Sequence, residues 1–118
     1  MPRIVAELNV TRPVDLAIID GVESIAGGEG PWIRGIRYIQ PGVLVAGLNA
    51  VNTDTVATAV MGYNPRALRG TAPFTMCDNT LLLAENLGIG SADLSRIEVA
   101  GRPLAAVRGF PNSTVRND

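Results

Sequence analysis

The sequence predicts an α/β fold, with a small mixed or mostly parallel sheet and two main helices. Three observations predict it. Two apolar runs, around residues 14–20 and 42–47, are each bounded by turn residues. Two later stretches repeat apolar residues at helical spacing, and a further apolar alternation, residues 96–100, follows them. Strands followed by helices and then another strand are the pattern of an α/β unit, and the step from 43–47 to 96–100 fits a right-handed parallel crossover.

In chain order, Ile4, Ala6 and Leu8 alternate with Val5, Glu7 and Asn9, which predicts a short edge strand before Arg12-Pro13. The next run, Val14 to Asp20, contains Leu16-Ala17-Ile18-Ile19 and ends at Gly21, which reads as a strand buried on both faces. Gly27-Gly28-Glu29-Gly30-Pro31 forbids a regular element, because glycine and proline in such density suit only turns and loops. Pro41-Gly42 is a turn signal, and Val43-Leu44-Val45-Ala46-Gly47 is the second strand. Val56, Ala57, Val60 and Met61 define the first helix, capped by Asn52 or Thr53 and stopped by Gly62 with Asn64-Pro65. Residues 80–87 define the second, capped by Asp78 or Asn79 and stopped by Gly88. Ser91 to Leu94 reads as a short helical turn, 96–100 as a strand, 104–110 as one more extended piece and 111–118 as a frayed tail.

Composition narrows the chemistry. The 118 residues suit a single domain, and 47% of them are apolar, so a core is affordable in material. Aromatic residues are scarce, which leaves the core to aliphatic side chains. The net charge of −1 provides no basic field for nucleic acid. No apolar run is long enough to cross a membrane, and the N-terminus lacks the basic start and apolar middle of a signal peptide, so a cytoplasmic location is the default. There is no His and no Lys, and the only Cys is Cys77. That excludes imidazole catalysis, His-ligated zinc, an internal disulfide and an iron–sulfur cluster held by this chain alone. Without an activating His, Cys77 reads as a small buried apolar residue. Trp32 reads as a packing or interface residue, and Arg34 and Arg37 as surface residues or holders of an anion.

Acid–base or metal chemistry then falls to carboxylates. If the two apolar strands run parallel, the loops that leave their carboxyl ends share one edge of the sheet, where ligands gather in such folds. That arrangement brings Asp20, Glu23 and Glu29 towards Asp54, with Gly30 and Asn49 beside them. Clustered carboxylates raise one another's pKa or recruit a divalent cation such as Mg²⁺. The competing reading is ordinary: a turn acid after a strand, a solvated loop glutamate and a first-turn helix acid. The glycine run matches neither phosphate-binding loop pattern.

Asp15 to Pro31, Gly42 to Ala57 with Met61-Gly-Tyr-Asn-Pro, and Leu83 to Gly90 with Ile97-Glu-Val-Ala-Gly resemble, in that order, segments of the domain-of-unknown-function 362 family. The resemblance covers residues 14–103. It implies the C-terminal portion of a longer α/β protein, and it places the family's Asp-Gly…Glu-Gly-Pro motif and the Asp of the following helix on Asp20, Glu29, Gly30, Pro31 and Asp54. Iron–sulfur associations of that group do not transfer, because the cysteine cluster is missing. Two functions follow: a ligand- or divalent-metal-binding portion of an enzyme-like protein, or a non-catalytic assembly module. The second covers an exposed sheet face by homo-oligomerisation or with a missing N-terminal half.

Overall fold

The computed structural model describes residues 1–28 and 30–109. The order of elements is α1 (Pro2–Thr11), β1 (Ala17–Gly21), β2 (Ser24–Ala26), β3 (Arg37–Ile39), β4 (Val43–Gly47), α2 (Ala50–Val60), α3 (Thr80–Asn86), a 3₁₀ turn (Leu94–Arg96) and α4 (Leu104–Val107). The mixed α/β class holds. The parallel sheet does not: among the described residues β1 pairs only with β4 and β2 only with β3, both antiparallel.

The strands form one bent ribbon. In the β1–β4 half Gly21 faces Val43, whereas in the β2–β3 half Ser24 faces Ile39. Between those pairs lie residues 22–23 on one strand and 40–42 on the other, so the second strand carries one extra residue. That is a β-bulge. Gly42 sits in it at φ +67°, a left-handed conformation glycine adopts without steric cost, and its N–H bonds the Val22 carbonyl at 3.3 Å. Pro41-Gly42 therefore bends a hairpin instead of ending one. The antiparallel direction follows from connectivity, since a hairpin joins neighbouring strands directly, whereas parallel strands need a crossover of a dozen residues or more.

α2 is the hub. Val51, Thr53 and every residue from Thr55 to Val60 are buried, and the helix packs against β1, β4, α3 and α4. Its N-cap is Asn49, earlier than the expected Asn52 or Thr53. α3 begins at Asn79, whose side-chain oxygen accepts from Leu81 and Leu82 N–H while its amide donates to the Pro65 and Ala67 carbonyls. This buried amide ties the 64–67 loop to the helix.

Three expected extended segments fold differently. Residues 4–9 lie in α1: Pro2 occupies the first turn, where its missing N–H is harmless, and Ala6 docks the helix on α3. Ile97 to Ala100 forms no strand and joins neither sheet. Residues 104–107 form α4 behind Pro103, while residue 110 and the tail 111–118 lie outside the described residues. Cys77, expected to be buried, is exposed.

The core is built from small side chains. Ala6, Val51, Leu81, Ala84 and Ala92 form its centre, and the largest side chain buried almost completely is Thr55. Many of the large apolar residues remain outside.

Candidate functional site

Asp20 and the Asn49–Asp54 segment do not meet. Asp20 pairs with Leu44, near the start of β4, whereas Asn49 and Asp54 follow Gly47, which pairs with Ala17 at the start of β1. Three residues of strand, about 10 Å, already separate those pairs. The faces differ as well. Asp54 shares an apolar pocket of about 170 Å³ with Ala17 and Ile19, on the helix side of the ribbon. Side chains alternate along a strand, so Asp20 projects from the opposite side. The expected convergence rested on parallel strands and disappears with them. Glu29 lies outside the described residues, and among the described residues no group of three or more carboxylates or cysteines is placed to hold a metal ion.

Each remaining position has a local role. One Asp20 carboxylate oxygen accepts the Val22 N–H at 2.9 Å, closing the turn at the bulge. Glu23 accepts from the Gln40 amide at 2.8 Å across the ribbon. Gly30 is covered by the Trp32 indole, which occupies the space a side chain there would need. Asn49 is a structural clamp. Its side-chain oxygen accepts the Asn52 N–H at 2.9 Å and its amide donates to the Ile89 carbonyl at 2.9 Å. Asn52 in turn accepts the Ser91 N–H, and Thr55 donates to the Ser91 carbonyl, both at 2.8 Å. Gly90 passes so close to Val51 and Asn49 that a β-carbon there would collide with both.

Asp54 retains contact with water, yet the apolar pocket at its back desolvates the carboxyl and raises its pKa above 3.8. Such a group exchanges a proton nearer neutrality than an ordinary aspartate and accepts a hydrogen bond at the pocket rim. Asp93 is shifted the other way, because the Ser95 hydroxyl and backbone N–H stabilise its anion.

The largest unsatisfied feature is apolar. The β1–β4 ladder turns Ala17, Ile19, Val43 and Val45 towards α2, and Ile18, Leu44 and Ala46 away from it. On that outer face Ile18 and Leu44 are each 65% exposed, and the flanking Leu16 and Leu48 are 55% and 82% exposed. Beside the ribbon, a groove of about 660 Å³ runs along β4, floored by Val56 and Val60 of α2 and walled by Ile97 to Arg102. Among the described residues no strand pairs with β4 on that side, although 97–100 has the apolar composition of a strand. The sequence held the signal for this face: residues 16, 18, 44, 46 and 48 are apolar at period two. It could not show that only one side would be covered.

Comparison with protein-family models, curated proteins and solved structures returns no match.

Proposed function

We propose that this chain is a non-catalytic assembly module that self-associates through the outer face of the β1–β4 ribbon. The observation that carries the reading is the inversion of its apolar residues: alanine, valine and threonine fill most of the core, while Leu16, Ile18, Leu44 and Leu48, on and beside the two strands, stand exposed. A contiguous apolar patch on a soluble chain marks an interaction surface. An isolated two-stranded ribbon is marginal in water and gains stability from further packing, and the unpaired groups along β4 are a ready template for it. The resemblance to part of a longer α/β family leads to the same expectation, that this surface is covered when the protein works.

Light scattering tests the reading. The wild-type chain is expected to be a dimer or larger at micromolar concentration, and Ile18→Asp with Leu44→Asp to be a folded monomer, because both side chains are already in water in the single chain. A wild-type protein that stays monomeric up to about 100 μM, a dissociation constant weaker than about −5.5 kcal/mol provides, sinks it.

A further inference from the structure

The ribbon also carries a group suited to that face. Its β2–β3 half pairs with itself and makes at most marginal contact with any helix. At its tip Trp32 is 78% exposed while lying against Gly30, so the indole has one side supported and the other open. Arg34 and Arg37 are exposed and form no ion pair among the described residues. Tryptophan and arginine are the residue types that most often dominate protein interfaces. Asp20 lies on the apolar face itself and Glu23 just beyond it, and neither has an ion-pair partner among the described residues.

We infer that the Trp32–Arg37 tip of one copy packs on the outer β1–β4 face of a second copy. Trp32 lies against Ile18 and Leu44, and the two guanidinium groups lie beside Asp20 and Glu23. The inference rests on the self-association reading and names the contact within it. Charge complementarity selects the occupant, since Arg34 and Arg37 at the tip and Asp20 and Glu23 on and beside the face form no ion pair among the described residues. Connectivity requires that the occupant come from another chain: tip and face belong to successive halves of the same two strands, so the tip reaches its own face only by breaking the ladder. Two copies related by a two-fold axis place each tip on the other's face, which closes the assembly at a dimer.

Sedimentation or light scattering on the full chain distinguishes the two levels. Trp32→Ser and the pair Arg34→Glu, Arg37→Glu are each expected to weaken dimerisation at least about tenfold, with circular dichroism unchanged because all three side chains are exposed. Added salt is expected to weaken the wild-type dimer and to have less effect on the arginine variant, because the charge pairs at the rim are screened. A wild-type dimer broken by Ile18→Asp but untouched by the tip variants overturns the arm contact and leaves the self-association reading standing. A monomeric wild-type chain overturns both.

Discussion

Asn49 shows how one side chain organises a site that is structural. It caps α2 and holds the 89–91 loop, so each of its functional groups is already engaged. Asn49→Ala is expected to cost about 2–3 kcal/mol, combining a lost cap with an orphaned Ile89 carbonyl, measurable by urea denaturation. Asp54 calls for the opposite expectation. Its raised pKa means the folded state binds its proton more tightly than the unfolded chain. The stability this contributes is fully present below 3.8 and is lost as pH rises through the elevated folded value. Asp54→Asn is therefore expected to be at least as stable as wild type at neutral pH and to flatten that part of the profile, read from denaturation midpoints between about pH 3 and 7. Asp93, with its lowered pKa, works in the other sense: its contribution is present above 3.8 and fades as pH falls through the lower folded value.

Among the elements, the ribbon depends on its bulge. Gly42 has open space where a β-carbon would stand, so its substitution meets only the conformational cost of positive φ. Gly42→Ala is expected to destabilise by about 1 kcal/mol, and Gly42→Asn by less, since asparagine tolerates that region better. Both are read from the denaturation midpoint. The two main helices and the β4 strand were legible because their signals are local: an apolar run between Gly42 and Gly47, an apolar repeat before Gly62, and asparagine before a leucine-rich turn. α1 was misread because Ile4, Ala6 and Leu8 satisfy period two as readily as one side of a short helix. What separates the readings is Ala6 fitting against α3, a contact no local pattern contains.

For the whole molecule, the arrangement predicts that stability and association are coupled. Burying the outer ribbon face in a dimer stabilises the folded chain by mass action, so the melting temperature is expected to rise with protein concentration for the wild type. The Ile18→Asp, Leu44→Asp variant is expected to melt at a temperature independent of concentration. Differential scanning fluorimetry across a hundredfold dilution reads both. Among the described residues no helix is long and apolar enough to cross a membrane. The outer ribbon face, with Ile18 and Leu44 each 65% exposed, is the surface that the proposed self-association would cover.

By itself the sequence determined the mixed α/β class, the extent of β4, the presence of α2 and α3, and the absence of imidazole and paired-thiol chemistry, since all of these are matters of composition or of short-range periodicity. It also carried the acidic positions, but not their relation to one another. Whether Asp20 and Asp54 share an edge depends on the direction in which β1 meets β4, and that is decided by how the intervening residues close. The direct connection of β2 to β3 closes them into a hairpin that the bulge at Gly42 bends, the hairpin makes the ladder antiparallel, and antiparallel pairing sends Asp20 and the Asn49–Asp54 segment to opposite ends. The same closure covers one side of the ribbon with α2 and leaves the other exposed.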